Sequence, residues 1–285
     1  MIPLDAIRQA IKAATGSLPD GQLIPVGGGC INETYRFGGY FLKVGDASRL
    51  AMFESERVGL QAIADTGTIR IPAPVFCHAL ANHAVLVLEH LPLTGGTSAS
   101  EETLGRKLAA MHRCTSEQFG WTMDNFIGST PQPNPPTGSW VEFLRDHRLG
   151  HLFDLAAQAG YHFENSRILL DHLDRFFDDG EPEPSLLHGD LWGGNAAALP
   201  DGTPVIFDPA VYFGDREADL AMTTLFGGFS DHFYRAYNEA WPLPRGYRRR
   251  KQLYNLYHIL NHAILFGSSY AHQSQTMIDD LVAST

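Results

Sequence analysis

The sequence predicts an α+β chain of two lobes, a β-rich N-terminal lobe over residues 1–91 and a helical C-terminal lobe over residues 92–285. Three observations carry that expectation. Residues 22–44 and 75–88 alternate apolar and polar, with glycine turns at Gly27-Gly28-Gly29 and Gly38-Gly39. The pattern changes character across 89–92. Beyond residue 100, apolar residues recur at helical spacing in one stretch after another.

The elements follow in order. Ile2, Leu4, Ile7, Ile11 and Ala14 make residues 1–16 an amphipathic helix; no apolar core with a cleavage site follows, so no signal peptide is expected. Strands are expected at 23–26, 33–37 and 40–44, a helix at 48–64, then strands at 75–79 and 84–88. Further helices are expected at 100–113, 139–157, 164–178, 216–226, 230–240 and 247–266. Pro131, Pro133, Pro135 and Pro136 bar a helix from 119–138, and an irregular stretch that long is usually functional. A second irregular stretch, 185–212, sets short apolar runs among polar clusters.

Composition narrows the class. The 285 residues are 44% hydrophobic and 19% charged, as in an ordinary globular chain. A formal charge of −11 repels a phosphate backbone, so no nucleic-acid partner is expected. No apolar run is long enough to span a membrane. Three cysteines, Cys30, Cys77 and Cys114, argue against a disulfide framework and for a reducing, cytoplasmic setting. A monomer or weak homodimer is expected.

Residues 187–195, LHGDLWGGN, match the catalytic-loop pattern H-x-D-x-x-x-x-N of kinases. In that pattern Asp190 accepts the proton of the attacking hydroxyl and Asn195 holds Mg²⁺. Downstream, Val205-Ile206-Phe207 is an apolar run that delivers Asp208 into a loop, as a second metal ligand requires. An Asp that merely ends a strand is the plainer alternative.

Upstream, Gly28, Gly29, Cys30 and Asn32 lie between two expected strands, where backbone N–H groups can approach phosphate. The pattern is neither a strict G-x-G-x-x-G nor a G-K-[ST] loop, and a plain turn is the alternative. Lys43 follows in the next strand, as the phosphate-pairing lysine of kinases does. Its partner is expected to be Glu56, which shares a helical stripe with Phe53, Leu60 and Ile63, whereas Glu54 points off it. Glu89 and Leu91 in the hinge complete the expected ATP contacts. Cys30, among amides that favour a thiolate, is a candidate redox-sensitive thiol. Asp219, flanked by small and apolar residues, is expected to hold the catalytic loop rather than react; a helix-dipole charge is the alternative.

Two constellations are set aside. His258/His262 and His147/His151 have i, i+4 spacing but no intervening Glu and no third ligand. The basic run 245–251 reads as a solvated helix start.

Residues 188–197 (HGDLWGGNAA), 207–214 (FDPAVYFG), 216–229 (READLAMTTLFGGF) and 254–267 (YNLYHILNHAILFG) resemble the fructosamine kinase (ketosamine-3-kinase) family. So do 52–60 (MFESERVGL) and 119–134 (FGWTMDNFIGSTPQPN), so the likeness covers nearly the whole chain. Asp215 departs from the residue usual there. The resemblance implies a protein-kinase-like fold related to aminoglycoside phosphotransferases and choline kinases. It implies ATP- and Mg²⁺-dependent phosphorylation of ketosamines at O3, which leads to deglycation. A sugar acceptor needs amides and a stacking ring beside the base. Trp192, Gln132, Asn134, Trp140 and His262 are the expected acceptor residues. Another small-molecule kinase of the same fold and a nucleotide-binding pseudokinase are the rivals; the presence of Lys43, Asp190, Asn195 and Asp208 argues against the second. A kinase acting on protein hydroxyls would carry an Ala-Pro-Glu segment, which is absent.

Overall fold

The computed structural model describes residues 2–27 and 33–284. Helix α1 (Leu4–Thr15) leads into strands β1 (Ile24–Pro25), β2 (Glu33–Phe37) and β3 (Tyr40–Asp46), helix α2 (Leu50–Asp65), and strands β4 (Pro74–Leu80) and β5 (His83–Glu89). The strands form one antiparallel sheet in the order β1-β2-β3-β5-β4.

Period-two alternation sorts this sheet's side chains. Leu42, Val44, Val85 and Val87 face Ile7 and Ile11 of α1. Leu86 and Leu88 face the other way, onto Phe53, Leu60 and Ile63 of α2. Lys43 lies between Leu42 and Val44 in β3 and pairs in register with Leu86, so it projects to the α2 side. Burial has one cause here: each face is covered by a helix whose apolar stripe matches the pleat.

The α2 cluster continues into the helical part, where Leu104, Leu108, Ile206, Val211, Leu220 and Phe233 join it. That part comprises α3 (Ser98–His112), the hairpin β6 (Asn125–Ile127) and β7 (Thr130–Gln132), α4 (Trp140–Leu144), α5 (Gly150–Gln158) and α6 (Ser166–Asp171). The strands β8 (Ser185–Leu187), β9 (Ala196–Ala198), β10 (Pro204–Ile206) and β11 (Tyr212–Gly214) follow. Helices α7 (Glu217–Met222), α8 (Asp231–Ala240), α9 (Tyr247–Phe266) and α10 (Ser268–Ala283) close the chain. β9 pairs with β10 and β8 with β11, both antiparallel, and these two ribbons present 188–195 and 207–211 side by side.

The structure departs from the expected elements in several places. The helix expected over 164–178 is a short helix, Ser166–Asp171, followed by a 3-10 turn, Leu173–Phe176, and the one expected over 216–226 ends at Met222. The stretch 185–212 holds short strands. The helix expected over 139–157 is interrupted by a π-helical turn, Arg145–Leu149. At its end stands Gly150, where a Cβ would meet the Arg145 carbonyl at 2.5 Å. The turn carries Arg148 inward, where it is buried against the rings of Phe143 and Tyr212 at 4.4 and 4.0 Å. The stretch 119–138 contains the β6–β7 hairpin, and α10 fills residues left without an expected element. Among the described residues no helix is long and apolar enough to cross a membrane.

Candidate active site

The catalytic-loop sequence folds as it does because Asp219 holds its backbone. The carboxylate accepts from the N–H groups of His188 (2.7 Å) and Gly189 (2.8 Å) and contacts His112 Nε2 at 3.1 Å. Burial alone would raise its pKa, but His112 and the loop donors outweigh burial and hold it below the ordinary value. Gly189 has φ +81°, and a Cβ there would stand 2.1 Å from the Ala210 carbonyl, so only glycine fits. His188 Nε2 faces the Phe207 carbonyl at 3.0 Å, and its Nδ1 accepts from Asp190 N–H at 3.2 Å. The ring is therefore neutral with its proton on Nε2, and burial lowers its pKa accordingly.

These contacts predict a structural phenotype. Asp219→Asn should destabilise the fold by about 2–4 kcal/mol, because an amide cannot accept from all three donors. Urea unfolding checks it, and a midpoint equal to that of the wild type would remove Asp219 from the loop-holding role.

Asp190 follows with its carboxylate held by Asn195, whose Nδ2 donates to Asp190 O (2.9 Å) and Oδ2 (3.2 Å). Burial, then the charge of Asp208, push the Asp190 carboxyl up to about 7. Asp208 has φ +57°, a strained conformation for a residue with a Cβ, and it turns the carboxylate toward the sheet. There Lys43 Nζ reaches Asp208 Oδ1 at 2.8 Å and Glu56 at 2.8–2.9 Å. Burial would lower the Lys43 pKa, but the two carboxylates reverse that and raise it. Glu54 is turned outward onto Arg57. The structure thus brings Lys43, Glu56, Asp190, Asn195 and Asp208 into one cleft from four separate segments.

Other expected residues fall elsewhere. Gly28, Gly29, Cys30 and Asn32 lie outside the described residues. The Glu89 carboxylate is engaged by Arg70 and by Ala73 N–H, and Leu91 is buried, so only their main chain is left for a nucleotide. Trp140, expected at the acceptor, is 0% exposed; its Nε1 donates to Tyr254 Oη at 3.0 Å, and Tyr254 in turn donates to Asp215. Gln132 and Asn134 are each 1% exposed. Gln132 bonds Asn125, Tyr257 and the Ala210 carbonyl; Asn134 bonds Asn125, Met123 O and Arg148. None of the three side chains is open to an acceptor. A buried amide must find partners, and here the partners brace the segment after Asp208.

Trp192 and His262 are partly exposed and are joined through Phe226. The Trp192 ring meets Phe226 edge-on at 6.3 Å, and Phe226 lies 4.5 Å from His262, which also neighbours Phe266 and Tyr270. The ring folds directly over Gly194, where a Cβ would stand 2.3 Å from it. His258 is buried with its pKa lowered to about 3 by burial, then by His262. No group of three potential metal-ligating His, Cys, Asp or Glu side chains occurs among the described residues.

Sequence reasoning missed His112, Phe226, Arg148 and Arg250. Arg250 belongs to the basic run read as solvated, yet it is buried and bidentate on Glu217 at 2.7 and 2.9 Å, with Asp179 as a second partner. No local pattern marks it, since its partners lie on other elements.

A catalytic-loop carboxylate beside an amide, facing a lysine paired with two carboxylates across two lobes, defines a kinase-type phosphotransferase. The profile of the fructosamine kinase family matches residues 3–284, and the chain belongs to that family. A protein of Synechocystis sp. named "Probable ketoamine kinase" is 46% identical, over 97% of this chain and 96% of its own. The chloroplastic protein-ribulosamine 3-kinase of Arabidopsis thaliana is 40% identical, over 97% and 87%. A crystal structure of a fructosamine-3-kinase candidate from Haemophilus somnus superposes with TM-score 0.91 at 28% identity, covering 98% of this chain and 97% of that one. An aminoglycoside phosphotransferase solved with AMP-PNP and hygromycin B shares the fold alone, at TM-score 0.64 and 16% identity over 98% of each chain.

Proposed function

We infer that the chain transfers the γ-phosphoryl group of ATP to the O3 hydroxyl of a ketosamine, a fructosamine or ribulosamine adduct, and so leads to release of the amine. The observation that supports this most is the single cleft holding Asp190 and Asn195 opposite Lys43, Glu56 and Asp208. The β-rich lobe, residues 1–91, holds the nucleotide, and residues 92–285 hold the acceptor.

Each residue has a separable task. Lys43, kept charged and oriented by Glu56, binds phosphate oxygens; Gly28, Gly29, Cys30 and Asn32 offer backbone to the same phosphates. The main chain at Glu89 and Leu91 lines the nucleotide. Asp190 accepts the O3 proton as that oxygen attacks the γ-phosphorus, while the bond to the bridging oxygen of ADP breaks. Trp192 gives the sugar a flat wall, and His262 lies behind it through Phe226.

Asp208 and the amide oxygen of Asn195 fit Mg²⁺. Both are hard oxygen donors, and two protein ligands suffice for a cation that keeps water and phosphate in its shell. The Asn195 nitrogen is already committed to Asp190, which leaves its oxygen for the cation. When bound, Mg²⁺ neutralises charge on the phosphoryl group. We place this chemistry in the cytoplasm, on the low and odd cysteine count.

A coupled assay of ADP release against fructosyl-lysine, ribulosyl-lysine, choline and kanamycin tests the function. Turnover is expected on a ketosamine and on neither choline nor kanamycin. Turnover of choline or kanamycin with none on any ketosamine would transfer the chain to another acceptor class.

A further inference from the structure

A cleft of about 330 Å³ opens beside the catalytic loop, between Trp192-Gly193-Gly194, the first turn of α3 and the segment Phe226–Phe229. Its walls are glycines, the aromatic residues Trp192, Phe226 and Phe229, and small or apolar residues such as Leu104 and Ala196. Among the described residues that line it, Glu101 is the one charged side chain. Glu101 accepts from Ser230 N–H at 2.9 Å through Oε2. A lone carboxylate in a cleft lined by aromatic and small residues suits an ammonium attached to an apolar chain, since the rings attract the ammonium over their faces and the carboxylate pairs with it.

We propose that this cleft is the amine subsite of the acceptor: it takes the ammonium and the alkyl chain of an aminoalkyl group such as a lysine side chain, with Glu101 as the specificity-determining residue. The proposal rests on the ketosamine reading above and extends it to the part of the substrate that is not sugar. In a ketosamine the nitrogen is a secondary ammonium a few bonds from O3. With O3 at Asp190, the nitrogen is carried toward Trp192, which is two residues further on and forms one wall of the cleft. The chain beyond the nitrogen then enters the cleft that Gly193, Gly194 and Phe226 line. The formal charge of −11 adds a long-range attraction for cationic acceptors.

Glu101→Gln is the test, because the amide oxygen can still accept from Ser230 N–H while the charge is gone. Steady-state kinetics are measured with Nε-fructosyl-lysine and with 1-deoxyfructose, which offers the same O3 and no nitrogen. The KM for fructosyl-lysine is expected to rise about tenfold, and the KM for 1-deoxyfructose and for ATP to change less than about twofold. Equal increases for both acceptors, or no increase for fructosyl-lysine, would overturn the proposal. A wild type that phosphorylates no ketosamine would sink the functional reading instead. The cleft is then judged by titrating the protein with n-pentylammonium and following tryptophan fluorescence. Binding weakened in Glu101→Gln supports it, and equal or absent binding to the two proteins overturns it.

Discussion

Asp190→Asn is expected to lower kcat by roughly 10²–10⁴-fold while leaving the affinity for ATP near that of the wild type. The amide preserves shape and the contacts with Asn195, so what is lost is the ability to take the proton of the attacking hydroxyl. Single-turnover chemistry with saturating ATP, together with a nucleotide-binding isotherm, separates the two quantities. Near wild-type turnover in the variant would show that the loop at 187–195 does not carry the base. The wild type should also report the group by its pH profile. A carboxyl raised by burial toward 7 works only when deprotonated, so kcat/KM should fall as the pH drops through its pKa and level off above it. A cation at Asp208 cancels part of the second cause of that shift, so in Mg²⁺-containing buffer the inflection should lie below 7 rather than at it.

The second large effect belongs to Asp208. Asp208→Asn should abolish the tightening of nucleotide binding by Mg²⁺ and reduce kcat/KM by roughly three orders of magnitude. Two causes combine. The cation loses its charged ligand, and Lys43 loses one of its two carboxylate partners. ATP titrations with and without Mg²⁺ read this directly. The wild type should bind more tightly with the metal and the variant should bind equally in both. Retained Mg²⁺ dependence would place the metal ligand elsewhere. Because Asp190→Asn spares nucleotide binding and Asp208→Asn removes its dependence on Mg²⁺, the two variants fail in distinguishable ways.

Much of the site was legible before any coordinates because its chemistry is local. A base and an amide in one short loop, a lysine in a strand, and an acid on the core stripe of the next helix each depend on spacing along one element. Helical periodicity was enough to choose Glu56 over Glu54: a carboxylate on the buried stripe needs a cation, and the outward one finds Arg57. The strands of the first sheet and most helices were legible for the same reason, since periods of two and 3.6 are written in neighbouring residues.

The acceptor side was not legible in that way. Gln132, Asn134 and Trp140 carry the right functional groups for a sugar, but residue type does not reveal burial. The hairpin at β6–β7 turns the two amides inward, where Arg148, Asn125 and Tyr257 use their hydrogen bonds, and Trp140 is covered on all sides. The π-helical turn that delivers Arg148 leaves no periodic trace. His112 beneath Asp219, Phe226 beside Trp192 and Glu101 at the neighbouring cleft are each far in sequence from what they touch. The sequence by itself determined the α+β class, the family and the groups at the point of phosphoryl transfer, because these rest on short-range pattern. Only the tertiary structure decided which polar side chains are spent on bracing the loop and which remain open to a substrate. That choice depends on how separate segments pack, some of them distant in sequence, as Gln132 and Tyr257 are at |i−j| = 125.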